Sequence, residues 1–287
     1  MSRNVHILIN KASDGSSLSG GSWRASAPLS NIQTQDVSRV ARSTDASAAS
    51  TMFVADGGSS PRRSWSMFVL INHSISVSGR WRVVCTNDAA DTPESRIYDS
   101  GLVDVWEASV GFGTQPWGVF PWNGIDQASY PTYPIALHLA PASVRARYVF
   151  IYIEDPDNPD GYIDIGRFVA GDAMSPATNI SYGFNVRYVD PSEVVRTLGG
   201  RRIVRALPSY RVAEMEFGFL SKDEAMGQIF EWQKAGKGSD VFFVKDPDET
   251  AEKRARTMIY GALTDIQPIR EVMLDLYSFG AAIEELI

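Results

Sequence analysis

The pattern of apolar and polar positions is most regular between residues 146 and 176. From residue 148 to residue 154 the sequence YVFIYIE alternates aromatic with β-branched side chains. An apolar run of this length, bounded by Pro and Gly, predicts a strand buried in a sandwich core. The acidic segment DPDNPDG predicts a turn, because Pro presets φ, Asp and Asn cap their own backbone and Gly161 permits a positive φ. Residues 162–168 alternate again and predict the returning strand.

Shorter runs recur earlier in the chain. Apolar or alternating segments lie at residues 37–41, 51–55, 64–72, 80–86 and 102–106. Strands about 10 residues apart, separated by turn residues, are typical of an antiparallel sandwich. The first half shows no helical periodicity, and a parallel sheet would need crossover helices. We therefore predict an antiparallel jelly roll, with a first strand at the N-terminus and the run in FVLIN at its centre.

The pattern changes after Pro176. Strands are predicted at residues 180–190, 201–207, 210–220, 240–245, 257–263, 271–279 and 281–287. Ser221, followed three residues later by Glu224, forms a capping box that opens a helix with one apolar face, and Gly236 ends that helix. A helical turn is predicted at residues 249–256. We expect a mainly β protein with an antiparallel β-sandwich at residues 1–180 and an α+β domain at residues 181–287. The second domain would be a small sheet or split barrel with one packed helix.

Three parts of the sequence resemble known protein families: the strand pair at residues 146–176 and two segments nearer the C-terminus. The stretch ARYVFIYIEDPDNPDGYIDIGRFVAGDAMSP resembles the last core strands of galactose-binding-like (discoidin-type) jelly rolls. Together with GG, YR, FGFL and EA in the C-terminal third, and the closing IYGAL and IEEL, it is similar to minor tail proteins of long-tailed bacteriophages. The resemblance covers most of residues 145–287 and, more loosely, the N-terminal part. It implies a galactose-binding-like jelly roll, a tail-tube or distal-tail-like second domain, and a structural role at the tail tip. It brings no catalytic motif.

Composition excludes several classes of protein. The chain has 287 residues, 44% of them hydrophobic and 21% charged, which is ordinary for a globular protein and enough for two domains. A formal charge of −7 argues against a dedicated nucleic-acid binder, since such binders neutralise phosphate. The short Arg clusters at residues 62–63 and 201–205 are then solvated strand ends or interface charges.

The single cysteine and the N-terminus bear on the cellular compartment. Cys85 allows no disulfide within the chain and no Cys-based zinc site, and we interpret it as a buried, inert thiol of a protein folded in a reducing cytoplasm. The N-terminal apolar run is too short for a signal peptide. No stretch approaches the 18 or so apolar residues of a membrane span, so we expect no membrane insertion.

The segment at residues 111–134 is rich in aromatic residues, Gly and Pro, and cannot form a regular element. Three interpretations stay open: a packed connection of the fold, a protein interface, or a carbohydrate-binding surface. Trp and Tyr suit both kinds of contact because they offer a large amphipathic area at small entropic cost. The candidate interface or sugar-contact residues are Trp117, Trp122, Tyr130 and Tyr133.

The acidic turn offers hard oxygen ligands. Asp155, Asp157, Asn158 and Asp160 lie within six residues, which makes calcium the sharpest cofactor hypothesis. Their spacing is not that of an EF-hand, and an acidic turn without metal is the alternative. Galactose-binding-like domains often carry calcium, but in another loop, so the resemblance does not extend to these residues.

No catalytic site is predicted. His6, His73 and His138 lie in unrelated segments without a hydrolase motif, and we interpret them as structural or surface histidines. A carboxylate pair for glycoside hydrolysis is defined by its separation in space, so Asp99, Asp104, Glu107 and Asp126 are its candidates. No repeat typical of long tailspikes is present, and an enzyme ranks last.

The sequence therefore predicts a structural component of a phage tail tip or baseplate. It would be assembled in the host cytoplasm and reside in the virion tail, linking the tail tube and hub to receptor-binding proteins. The C-terminal domain would form a homo-oligomeric ring, with a hexamer favoured and a trimer possible, while the jelly roll decorates the ring. The alternative is a carbohydrate-binding module that contacts a glycan on the host surface.

Overall fold

A computed structural model describes residues 4–59, 62–107, 125 and 132–287. The strands of these residues are β1 (His6–Leu8), β2 (Ser17–Ser19), β3 (Ala41–Arg42), β4 (Phe53–Asp56), β5 (Arg63–His73), β6 (Arg80–Thr86), β7 (Arg96–Asp99), β8 (Val103–Asp104), β9 (Ile135–Ala146), β10 (Tyr148–Glu154), β11 (Asp164–Gly171), β12 (Asn185–Val189), β13 (Glu193–Arg196), β14 (Arg202–Arg205), β15 (Tyr210–Ser221), β16 (Asp240–Val244), β17 (Ile259–Ile266), β18 (Arg270–Met273) and β19 (Leu276–Glu285). The chain is thus mainly β, as the sequence predicts.

Helices are few and short in the described residues. They are α1 (Ala48–Thr51), α2 (Lys222–Glu224), α3 (Phe230–Ala235) and α4 (Ala251–Thr257), and the π-helical turn Ala225–Ile229 joins α2 to α3. Short 3-10 helices lie at Ala12–Gly15, Leu29–Gln33, Pro93–Ser95 and Gly236–Gly238. None of the helices described is long and apolar enough to cross a bilayer.

The chain divides into two compact units. Unit 1 contains Asn10–Met174 and Asp248–Arg256, and unit 2 contains Asn4–Ile9, Ser175–Pro247 and Thr257–Ile287. The first strand predicted at the N-terminus forms as β1, and it pairs antiparallel with β16 of unit 2. Its buried side chains Ile7 and Leu8, and the adjoining Val5, thereby join the apolar face of that sheet.

Unit 1 is a sandwich of two antiparallel sheets. One sheet has the strand order β2-β4-β10-β6-β7, with β8 also on β6, and the other has the order β3-β11-β5-β9. Their inner faces share one apolar core. The edge-to-face pair of Phe53 on β4 and Phe168 on β11, with ring centroids 5.1 Å apart, joins the two sheets. This arrangement is consistent with a jelly roll.

The two regular strands that open the sequence analysis form as predicted, but they do not pair with each other. β10 pairs with β4 and β6, whereas β11 pairs with β3 and β5 in the opposite sheet. The acidic turn between them therefore crosses from one sheet to the other at the end of the sandwich. Both strands are buried because each has neighbours on both edges and the core on one face.

Predicted strand bounds hold best where the apolar run is longest. β5 and β6 match the runs at residues 64–72 and 80–86, and Cys85 on β6 is confirmed as a buried thiol whose pKa burial raises to about 12. The run at residues 37–41 is wrong as a strand, because only its last residue enters β3. The run at residues 51–55 begins within α1 and extends only from Phe53.

The twelve-residue strand β9 has no counterpart among the sequence predictions. It contains Pro141, which lacks the N–H that a ladder needs and therefore argues against a strand. The structure accommodates Pro141 at a register shift, where the pairing of β9 with β5 passes from Leu139 opposite Met67 to Val144 opposite Trp65.

Unit 2 is built on a seven-stranded antiparallel sheet of order β1-β16-β17-β19-β15-β12, with β18 also on β19. One face carries the predicted helix, which begins with the Ser221–Glu224 capping box and ends at Gly236, where φ is +65°. Trp232 of this helix is fully buried and its ring centroid lies 5.7 Å from that of Phe279 on β19. Unit 2 therefore combines a β-sheet with a short helix packed on it.

The prediction for the C-terminal strands is wrong at one boundary. A single strand was expected at residues 271–279 and another at residues 281–287. Instead the chain turns at Leu274 and Asp275, whose φ is +56°, and β19 then runs unbroken through Gly280. Gly280 is not a strand break here. A Cβ at this position would lie 2.7 Å from the side-chain amide of Gln267, so glycine permits that close approach.

A buried ion pair closes the sheet of unit 2 and gives the first prediction. Arg211 on β15 donates from Nε (2.9 Å) and from its backbone N–H (3.1 Å) to Glu285 Oε2 on β19, and both residues are almost fully buried. Arg211→Met leaves the Glu285 carboxylate buried without its cation, and we expect a loss of about 3–5 kcal/mol in the free energy of unfolding.

The double variant Arg211→Met/Glu285→Leu removes both charges and should recover most of this loss. Urea unfolding, with hydrogen exchange of the β15 and β19 amides to assign the transition to unit 2, measures both. Equal destabilisation by the single and double variants would contradict a charge-burial origin.

Candidate functional site

A pocket of about 580 Å³ opens at one end of the unit 1 sandwich. We call it the end pocket. Its lining comes from the loop after β5, the residues after β8, the residues before β9, and the acidic turn between β10 and β11. These residues are His73, Ser74, Ile75, Ser76, Val77, Trp106, Thr132, Tyr133, Pro134, Pro159 and Asp160.

A buried carboxylate holds the two loops that frame this pocket. Asp155, only 1% exposed, accepts from the backbone N–H of Ser76 (2.7 Å to Oδ2), from Ser76 Oγ (2.6 Å to Oδ1) and from Asn158 Nδ2 (2.7 Å to Oδ2). Asn158 Nδ2 also donates to the Ser74 carbonyl at 2.9 Å. The acidic turn is therefore fastened to the loop after β5, because leaving a buried carboxylate unpaired would be costly.

Two aromatic rings form the inner wall. Trp106 Nε1 donates to the Ile75 carbonyl at 2.8 Å, which fixes the indole against the same loop. The His73 ring meets Trp106 edge to face, with centroids 5.4 Å apart. Both side chains are buried apart from the surface they present to the pocket.

His73 is an uncharged imidazole at neutral pH. Burial lowers its pKa from 6.5 to about 3, and the nearby Asp155 carboxylate opposes that shift only in part. Its buried Nδ1 makes no hydrogen bond within the described part of the chain. A buried polar atom in this state is uncommon, and its position beside a pocket makes it a candidate for functional use.

The aromatic candidates are only partly within the structure. Tyr133, just before β9, is 7% exposed and lines the end pocket. Trp117, Trp122 and Tyr130 lie outside the described residues. Tyr133 thus contributes to a pocket wall, and whether its predicted neighbours do so stays a prediction.

The three aspartates proposed for calcium occupy different positions. Asp155 is the buried fastening of the turn, Asp160 is exposed and lines the end pocket, and Asp157 is exposed on the turn away from the pocket lining. Among the residues that the structure describes, no group of three or more His, Cys, Asp or Glu side chains is arranged to hold a metal ion. The calcium hypothesis is untested.

Two of the carboxylates that the sequence offers for glycoside hydrolysis are held in ion pairs. Asp99 receives Arg82 Nε at 2.7 Å and Arg96 Nη1 at 3.1 Å, which lowers its pKa to about 2 and keeps it ionised, the opposite of a general acid. Glu107 pairs with Arg254 of α4. Asp126 lies outside the described residues. His138 contacts the Tyr98 hydroxyl at 2.7 Å, and His6 is on β1 in unit 2.

Two pocket residues were not predicted as functional: His73 was interpreted as a structural or surface histidine, and Trp106 was not singled out. Each stands at or just after the end of a predicted strand, which is the one signal that pointed to a loop position. Sandwich ends are where such loops cluster, but the sequence does not reveal which loops meet.

No protein-family model and no curated protein matches the chain. Several solved structures resemble part of it, among them the following three. The first carbohydrate-binding module of family 32 from a family 31 glycoside hydrolase of Clostridium perfringens is 12% identical, with a TM-score of 0.35 over 57% of this chain and 99% of that one. The family 32 module of C. perfringens NanJ, solved in complex with galactose, is 11% identical, with a TM-score of 0.37 over 58% and 99%. SpGH29 is 12% identical, with a TM-score of 0.37 over 57% and 28%.

The buried imidazole predicts a particular pH dependence of stability. Below about pH 6.5 the unfolded chain binds a proton on His73, whereas the folded chain binds it only near pH 3. The free energy of unfolding therefore falls as the pH drops through this window. His73→Phe removes that proton uptake. We expect the free energy of unfolding to fall less steeply between about pH 6.5 and pH 5, by up to about 1.4 kcal/mol per pH unit.

Urea unfolding at several pH values, with hydrogen exchange of β5 and β11 assigning the transition to unit 1, measures this slope. His138 keeps part of it in both proteins, because burial lowers its pKa as well. His6→Asn, at a histidine of unit 2, is the matched control. An unchanged slope in the His73 variant would contradict the buried neutral imidazole.

Proposed function

We propose that unit 1 is a carbohydrate-binding module of galactose-binding-like type, and that the end pocket takes one sugar residue of a glycan. The observation that carries this proposal is the pocket itself, in which an aromatic wall and hydrogen-bonding groups converge at a sandwich end fastened by Asp155. The likeness to solved carbohydrate-binding modules is too distant to add to it.

The chemistry of the lining suits a polyhydroxyl ring. A volume of about 580 Å³ lies within the range of small-molecule sites. Trp106 and Tyr133 offer apolar ring surface to the C–H face of a sugar. Asp160, Ser76 and the neutral His73 can accept or donate hydrogen bonds to hydroxyl groups. Binding needs no acid–base pair, in keeping with the ionised state of Asp99.

The acidic turn supplies a matched pair of variants for a test. Asp160 lines the end pocket and Asp157 does not, although both are exposed on the same turn. We expect Asp160→Ala to weaken glycan binding about tenfold or more, because it removes an acceptor for sugar hydroxyls, and Asp157→Ala to leave it unchanged. A glycan array followed by calorimetry with the best ligand measures both.

Calcium dependence is read in the same experiment. If EDTA abolishes binding and Asp157→Ala weakens it as much as Asp160→Ala, the turn acts as a cation site and not as a direct sugar contact. If neither aspartate matters and Tyr133→Ala binds as well as the unchanged protein, the end pocket does not bind the glycan.

A second function is favoured by a different observation, in unit 2. The hairpin of β13 and β14 is exposed at every strand position and carries apolar side chains, which is typical of an interaction surface. We propose that unit 2 assembles the chain into a phage tail tip and joins it to other tail proteins. The two functions are compatible, since an assembled ring would present several copies of unit 1 to a host surface glycan.

The tail-tip proposal predicts where the chain is found. Purified particles of a phage that encodes this chain should contain the chain by mass spectrometry. Gold-labelled antibodies against it should mark the end of the tail in electron micrographs. Labelled capsids, or particles that lack the chain, would contradict the proposal.

A further inference from the structure

The hairpin formed by β13 and β14, which we call the arm, is poorly supported by its own chain. Val194 lies opposite Val204 and Val195 opposite Ile203, so each face of the arm carries one apolar pair. These four side chains are 48% to 58% exposed. A two-stranded hairpin without a covering layer is marginally stable in water, so the arm gains most by packing against another surface.

The arm is also basic within an acidic chain. It carries Arg196, Arg201, Arg202 and Arg205 against one carboxylate, Glu193. Among the residues that the structure describes, Arg205 forms an ion pair with Glu193 at 3.7 Å, and both of those side chains are largely exposed. A surface that accepts the arm should therefore be negatively charged and offer apolar contact.

Unit 2 has such a surface on its own sheet. A groove of about 700 Å³ runs across β12, β15, β19 and β17, and we call it the acidic groove. Four carboxylates line it, from Glu214, Glu216, Asp265 and Glu284, with the single cation Arg187, which pairs with Glu214 at 3.1 Å. Val212 and Ala282 lie among them as apolar lining.

The arm does not fill this groove within one molecule, because its side chains are exposed. We infer that the acidic groove binds the arm of a second copy of this chain. The arginines of the arm would meet the carboxylates of the groove, and its Val and Ile pairs would cover the apolar lining. Complementary charge of this kind fixes register and partner choice.

This contact joins two different surfaces, so it is heterologous. A head-to-tail contact repeats from copy to copy and closes into a ring, or extends as a filament where the rotation does not close. The inference deepens the assembly function proposed above and rests on it. It names which surfaces of unit 2 meet.

A charge exchange tests it on the full chain. The double variant Arg196→Glu/Arg202→Glu reverses the charge of the arm. The double variant Glu214→Lys/Glu216→Lys reverses the charge of the groove. Light scattering at low salt should show an oligomer for the unchanged protein and the mass of a single 31.6 kDa chain for each variant at the same concentration, with association weakened about tenfold or more. The control Lys237→Glu changes an exposed cation of unit 2 outside both surfaces and should stay oligomeric.

The decisive measurement is made on a mixture of the two charge-reversed variants. The acidic arm of one variant then meets the basic groove of the other, and the basic arm meets the acidic groove, so alternating oligomers should form although neither variant associates alone. An oligomer that survives both reversals would overturn the arm–groove contact and leave assembly standing. An unchanged protein that stays monomeric at every concentration and salt would overturn assembly as well. Glycan binding by unit 1, measured separately, is unaffected by either outcome.

Discussion

The end of the unit 1 sandwich depends on one buried carboxylate. Asp155 fastens the loop after β5 to the turn between β10 and β11, and it does so with all of its bonds inside the protein. Because Ser76 is fixed, the neighbouring Ile75 carbonyl is in place to receive the Trp106 indole, and Trp106 in turn packs against His73. The pocket is therefore preformed by a chain of contacts that begins at this side chain, which suits a site that binds without large rearrangement.

The role of Asp155 also shows which features of this site can be predicted from the sequence. DPDNPDG identifies a turn from its own residues, since turn chemistry is local. It does not identify which aspartate faces inward, because Ser76 lies 79 residues away from Asp155 in the chain. All the acidic side chains look like equivalent oxygen ligands in the sequence, whereas the fold makes one a structural anchor, one a pocket residue and one a solvated side chain.

The strands show the same limit. Long apolar runs such as those of β5 and β6 are recognised because burial on both sides leaves a continuous pattern. β9 is missed because Pro141 opposes a strand locally, and only the bulge opposite β5 makes it tolerable. The strand predicted to end at residue 279 continues through Gly280 as part of β19, where the Gln267 side chain approaches the backbone closely. In each case a long-range contact overrides a local preference, and such contacts cannot be read from one sequence.

Buried charges and the charges of the arm differ in how they are satisfied, and this contrast sets the arm apart from the rest of the chain. Where charges enter the interior, at Asp155 in unit 1 and at Arg211 with Glu285 in unit 2, hydrogen bonds inside the fold satisfy them. The arm instead keeps its arginines and β-branched side chains at the surface, where they add little to the stability of one molecule. Residues that contribute little to their own fold are free to contribute to contacts with another molecule. The exposed apolar and charged side chains of the arm, together with the carboxylates of the groove, thus favour assembly as the role of unit 2. The preformed pocket favours recognition as the role of unit 1.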